Sequence, residues 1–168
     1  MTIGTIISDI LVREGGYVDR SEDKGGPTKF GITLATLAEW RGKPCTAQDV
    51  RELQVAEAEA IYRDRYIVRP GFVGLPDPLR GLVVDCGVNH GTDRATRWLQ
   101  KAAGVAQDGQ IGPDSEKAIA SCDPAALYRK VLAARVRFYG RIITDNATQA
   151  VFAAGWANRA ASFIDEMP

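Results

Sequence analysis

Histidine occurs once in this 168-residue chain, at His90, and cysteine three times, at Cys45, Cys86 and Cys122. A zinc amidase or peptidase normally uses two or three histidines, so a single imidazole excludes that class. Three widely spaced thiols exclude a disulfide framework and predict reduced cysteines in a protein made in the cytosol. An excess of one charge is missing as well. Lys+Arg and Asp+Glu both number 21, so no global field recruits nucleic acid. The local balance shifts slightly, from 7 basic and 10 acidic residues over 1–60 to 6 and 3 over 127–168. Such scattered arginines on a helix read first as a solvated face. No long apolar run opens the chain: Asp9 interrupts the only candidate and no Lys or Arg precedes Arg13, so neither an export signal nor a stable membrane insertion is expected. No acidic run has the spacing of a calcium loop, and no metal or cofactor is expected.

What is present is glycine, placed around two acids. Glu14-Gly15-Gly16-Tyr17 is followed by Asp23-Lys24-Gly25-Gly26-Pro27-Thr28-Lys29-Phe30-Gly31-Ile32-Thr33. Glycines let the backbone turn with positive φ and come close to a ligand, so the two carboxyls can face each other across a small cleft. Splitting a glycosidic bond needs one carboxyl held protonated and a second held ionised. Ile3, Ile6, Ile7, Ile10 and Leu11 form an apolar stripe at helical spacing, which places Glu14 on the last turn of a helix beside a core. That position, at the negative end of the helix dipole, favours the neutral acid. Asp23 stands among Arg20, Glu22, Lys24 and Lys29, where solvent and cations favour the ion, and Thr28 or Thr33 is placed to hold a water against it.

These residues resemble the signature of glycoside hydrolase family 108, the N-acetylmuramidases found as phage endolysins and as bacterial muramidases linked to protein release. Downstream, Asp85-Cys86-Gly87-Val88-Asn89-His90-Gly91, Trp98-Leu99-Gln100, Asp108-Gly109-Gln110-Ile111-Gly112-Pro113 and Gly155-Trp156-Ala157-Asn158-Arg159 resemble the peptidoglycan-binding region of that family, so nearly the whole chain is covered. Pro27 and Lys29 depart from it, standing where smaller or amide side chains are expected. The resemblance implies cleavage of the β-1,4 bond between N-acetylmuramic acid and N-acetylglucosamine in bacterial peptidoglycan, with Glu14 as acid, Asp23 as the base that positions water, and Thr28 beside it. An inverting mechanism would set the carboxyls roughly 6.5–9.5 Å apart rather than the roughly 5–5.5 Å of a retaining pair. A monomer is expected, made in the bacterial cytoplasm without an export signal and acting on the wall after release, which for a phage enzyme the resemblance assigns to the membrane hole of a holin.

A coarse pass predicts a mainly α fold of α+β lysozyme-like type, with a small glycine-rich loop or β-hairpin over 15–33 at the active site. Thr33 caps a helix through Trp40 stopped by Gly42, and Thr46 with Asp49 opens a helix over about 47–66 with Leu53, Ala60 and Ile61 inward. The break at 70–78 divides a catalytic lobe, 1–76, from a helical peptidoglycan-binding lobe, 77–168, the two packed as one integrated domain. Helices follow over about 78–90, 93–103, from Pro113, from Pro124 and over 148–164, the long one with Leu127, Val131, Ala134, Phe138 and Ile142 inward.

In the second half, Asp85 and Asn89 at i and i+4 share a helix face and are candidates, with His90, for binding acetamido or peptide groups; the competing reading makes Asn89 and His90 a helix end before Gly91. Gly16, Tyr17 and Thr33 are the sugar-contact candidates near the acids. Trp98 and Trp156 stand at core spacing. Cys86 and His90 share a spacing that a cysteine peptidase would use, but in the run Leu79, Leu82, Val83, Cys86 the thiol reads as a small core residue. Besides the muramidase, two functions stay open: a lytic transglycosylase needing Glu14 alone, and a peptidoglycan-binding module without catalysis.

Overall fold

The computed structural model describes residues 3–14, 16–18 and 26–168, apart from the side chains of Ile3, Arg13 and Glu14. The chain forms two compact units, over residues 2–65 and 66–168. Helices dominate both, with one small antiparallel sheet. Among the described residues no helix is long and apolar enough to cross a membrane.

The N-terminal unit begins with α1 (Ile3–Glu14). Its stripe behaves as the spacing predicts: Ile6, Ile7, Ile10 and Leu11 are all buried. Each such side chain contributes about 1.5–3 kcal/mol by leaving water. Strands β1 (Thr28–Lys29) and β2 (Ile32–Thr33) pair in antiparallel register, Thr28 opposite Thr33. Between them Phe30 and Gly31 take φ of 53° and 71°, the two positive values that a type I′ hairpin requires. Phe30 holds this unusual backbone because the Tyr62 hydroxyl donates to its carbonyl at 2.8 Å. Thr33 then caps α2 (Leu34–Arg41), its hydroxyl accepting from the Thr36 amide, and Gly42 ends the helix at φ 64°. Such a left-handed terminus suits glycine.

The helix expected over 47–66 is broken. Thr46 and Asp49 do form a capping box, but α3 (Ala47–Arg51) stops and α4 (Val55–Arg63) begins afresh after Gln54. The restart changes the helical phase. Leu53 and Ile61 are buried as expected, whereas Ala60 is exposed and Ala58 takes its place inside. Arg41 ties the three helices together. Its guanidinium donates twice to Glu57 at 2.8 Å and once to Asp49 at 3.0 Å, and the Glu57 bond raises its pKa further above the usual range. A π-helical stretch, Asp64–Val68, follows α4.

The C-terminal unit is built on α5 (Leu79–His90), which follows a short 3₁₀ turn, Phe72–Gly74. Leu79 and every residue from Gly81 to Gly87 are buried, so α5 is the central helix of this unit. Gly91, at φ 87° and ψ 142°, ends α5 and starts α6 (Thr92–Ala103) with no intervening linker. Gly104 closes α6, Pro113 opens α7 (Pro113–Ser121), and Asp123 caps α8 (Pro124–Asp145) by accepting from the Ala125 and Ala126 amides. The last predicted helix divides into a 3₁₀ segment, Ala147–Phe152, and α9 (Ala153–Asp165). On α8, Leu127 and Val131 are buried, but the seam then runs through Tyr128, Leu132, Arg135 and Tyr139, leaving Ala134, Phe138 and Ile142 partly exposed. A fully buried arginine at core phase displaces the expected apolar line.

Candidate active site

The two acids lie on the N-terminal unit. Glu14 is the last residue of α1; its carboxyl, and all of Asp23, fall outside the described residues. The described residues nearest to them in sequence form a bridged frame. Val18 and Thr28 exchange both backbone hydrogen bonds, at 2.8 and 2.9 Å, as an antiparallel bridge. This bridge joins the chain that leaves α1 to the first strand of the hairpin. The nine intervening residues, 19–27, thus start and end at one place, four residues beyond Glu14.

The candidates in this frame differ in what their side chains do. The Thr28 hydroxyl donates to the Gly26 carbonyl at 3.1 Å, which leaves its lone pairs to accept. Thr33 donates to the Thr36 hydroxyl at 3.2 Å while capping α2, so its oxygen is already engaged twice. Tyr17 is half-buried, with the Arg51 guanidinium 4.8 Å from its ring centre. Gly16 is exposed, and a Cβ there would meet nothing within 4 Å. Lys29 donates to the Arg51 carbonyl at 2.7 Å. The residue that departs from the family pattern therefore helps to hold α3 beside the hairpin.

The candidates of the C-terminal unit behave otherwise. Asp85 and Asn89 do pair, the amide donating to the Asp85 carbonyl at 2.7 Å, but the aspartate turns inward. It is 3% exposed, with Arg159 donating to both carboxylate oxygens at 2.7 and 3.1 Å and the Arg135 guanidinium 2.7 Å from Oδ2. Burial would raise its pKa, yet the Arg159 bond and the Arg135 charge outweigh burial and hold it below the usual carboxylate range. The reading of Asp85 as a surface ligand is thereby corrected: a carboxylate enclosed by two guanidiniums joins α5, α8 and α9. Asn89 remains exposed.

His90 is likewise a packing residue. Its ring lies 5.3–5.5 Å from those of Trp98, Phe138 and Tyr139, and its enclosed Nε2 has no hydrogen-bond partner among the described residues. Burial, with the charges of Arg135 and Arg94, pushes its pKa down to about 4, with Asp85 opposing weakly. The Cys86 thiol is fully buried and pushed up to about 12 by that burial. A thiol that resists ionisation beside an imidazole that resists protonation is the reverse of a peptidase pair. The histidine has a consequence for stability. Its unfolded form titrates near the ordinary value of 6.5, so between pH 6.5 and 4 the unfolded chain binds more protons and stability falls as pH falls. Denaturant titrations at pH 7 and 4.5 should show a smaller loss for His90→Phe than for the parent; an equal loss would refute the assignment. Asp85, with its lowered pKa, acts only further down the pH scale.

Gln100 explains two more of the motifs. Its amide nitrogen lies within 2.6–3.0 Å of Asp108 Oδ1, the Gln110 carbonyl and Ser115 Oγ, and its oxygen accepts from the Gly109 amide at 3.0 Å. The segments Trp98-Leu99-Gln100 and Asp108-Gly109-Gln110 are therefore two halves of one clasp that fixes the loop between α6 and α7. Gln100→Leu should cost about 1–3 kcal/mol in denaturant unfolding, because the buried Ser115 hydroxyl and the half-buried Gly109 amide lose their partner together. A change within error would show that water replaces the amide.

Sequence reasoning missed Arg135. The available signal was a cation at i+4 and i+7 from Val131 and Tyr128, in phase with the buried residues of α8.

Comparison with known proteins bears on the whole chain. Residues 7–91 match the family model described as Glycosyl hydrolase 108, and residues 94–161 match the one described as Predicted Peptidoglycan domain. No curated protein matches significantly. Among solved structures, SagA of Brucella abortus is 31% identical with a TM-score of 0.79, over 96% of this chain and 90% of that one. The fold is accordingly lysozyme-like and mainly α. The chain belongs to the glycosyl hydrolase 108 family, a peptidoglycan hydrolase whose hydrolase region is followed by a peptidoglycan domain.

Proposed function

We propose that this hydrolase is an N-acetylmuramidase, cleaving the β-1,4 bond between N-acetylmuramic acid and N-acetylglucosamine. The observation that carries the reading is the Val18–Thr28 bridge. It ties Val18, four residues past the end of the helix that finishes on Glu14, to Thr28, and Glu14, Asp23 and Thr28 stand in the sequence order that the reading needs. In this mechanism Glu14 protonates the leaving oxygen. Asp23 draws a proton from a water on the opposite face of the sugar, and Thr28, with lone pairs free, accepts a hydrogen bond that fixes that water. The bond to the leaving sugar breaks as the bond to water forms, with inversion at the anomeric carbon. Tyr17 and Gly16 line the approach of the glycan. Residues 1–76 supply catalysis and 77–168 supply binding, in a monomer that reaches the wall from the cytoplasm, in a phage setting through a holin.

The test is digestion of purified peptidoglycan by the parent, Glu14→Gln and Asp23→Asn, with mass analysis of the released fragments. Muramic acid reducing ends that disappear with either substitution support the inverting muramidase. Anhydro-muramic ends, with Asp23→Asn still active, would instead make the enzyme a lytic transglycosylase, in which the substrate's own hydroxyl attacks.

A further inference from the structure

Helices α6 and α8 of the C-terminal unit enclose a groove of about 370 Å³. Five cations line it, Lys101 from α6 and Arg129, Lys130, Arg137 and Arg141 from α8, with Trp98 forming an apolar wall. No acidic side chain is among the lining residues. Its depth comes from small residues: Ala133 and Ala134 lie between Lys130 and Arg137 on the same face of α8, and Ala102 faces them from α6. The cations are only lightly engaged. Lys130 donates to the Ala102 carbonyl at 3.0 Å, Arg129 is 3.8 Å from Asp123, and Arg141 lies 5.8 Å from the Phe138 ring. Lys101 and Arg137 have no ion pair among the described residues.

A chain with 21 cations and 21 anions has gathered five of one sign into a single depression, where they repel one another until an anion enters. In peptidoglycan the charge is not on the sugars. The N-acetyl groups are neutral, and the lactyl carboxyl of muramic acid is used up in its amide bond to the peptide. Negative charge resides on the free carboxylates of the stem peptide. We infer that the α6–α8 groove binds these stem-peptide carboxylates, the arginines forking onto them. This rests on the peptidoglycan reading and deepens it: one unit cuts the glycan while the other reads the peptide.

The experiment is co-sedimentation of the full chain with purified sacculi on ice, native or with their carboxyls converted to neutral amides, for the parent and for Arg137→Ser combined with Arg141→Ser. Both positions are exposed, so the variant should fold, which its melting curve checks. Neutralising the sacculi should weaken parental binding about tenfold or more, the double substitution should do the same on native sacculi, and combining the two should add little. A synthetic stem tetrapeptide with free carboxylates should compete, and raised salt should weaken binding. Undiminished parental binding to neutralised sacculi would overturn the proposal, as would poly(glycerol phosphate) competing better than the peptide, which would give the groove to phosphate. If the parent cleaves native sacculi but ignores their charge, the groove assignment alone fails. If it neither binds nor cleaves them, the peptidoglycan reading fails and takes the groove with it.

Discussion

Glu14→Gln should lower peptidoglycan cleavage by roughly 10²–10⁴-fold or more while leaving the melting temperature nearly unchanged. The amide keeps the size and hydrogen-bonding ability of the acid and loses only the proton that the leaving oxygen must receive. Glu14 ends α1 directly before the glycines, so it is not an interior position of the helix, and the buried stripe of Ile6, Ile7, Ile10 and Leu11 does not depend on it. Initial rates on purified sacculi, set beside thermal melts, check the two halves separately. Full activity would remove Glu14 from the chemistry, and a melting point lowered by many degrees would make it structural. Asp23→Asn should also fall strongly under the inverting scheme, since water would then lack its base.

The largest expected effect on stability comes from Asp85→Ala. The substitution leaves Arg135, fully buried, without its counter-charge, and strips Arg159 of both its carboxylate bonds. Breaking a buried pair from one side typically costs about 3–5 kcal/mol. For a chain of this size that corresponds to a drop in melting temperature on the order of 10 °C. Arg135→Met should cost less, because Asp85 keeps Arg159, and the double variant should recover part of the loss of Asp85→Ala. Additive losses would show that the two charges do not depend on each other.

The parts of this fold that could be read from sequence are those decided by neighbours. The stripe of α1, the Thr33 and Thr46 caps, Gly42 and Gly104 as helix ends, and Pro113 and Pro124 as helix starts each depend on residues within one turn. The restart after Gln54 was not legible, because no glycine or proline marks it, although Val50 before the break and Leu53 within it are both buried. The same distinction separates the functional residues. The proposed acid pair rests on glycines close in sequence, and its carboxyls lie outside the described residues. Asp85 was placed on the right helix and the wrong face, because its partner Arg159 lies 74 positions away. The cationic groove was illegible for a related reason: Arg137 and Arg141 look like solvated arginines until Ala102 of another helix supplies the opposite wall.

Gly91 bears on how such a protein can evolve. The hydrolase-family region ends at this residue and the peptidoglycan region begins at Arg94, as if the two were modules joined end to end. Yet Gly91 is at once the end of α5 and the beginning of α6, and α5 is buried on nearly all sides within the C-terminal unit. A gene fusion cut at that boundary would separate the central helix from the helices that cover it and Asp85 from both its arginines. The hydrolase region and the peptidoglycan region are therefore expected to have been inherited as one piece, exchanging surface residues rather than whole segments.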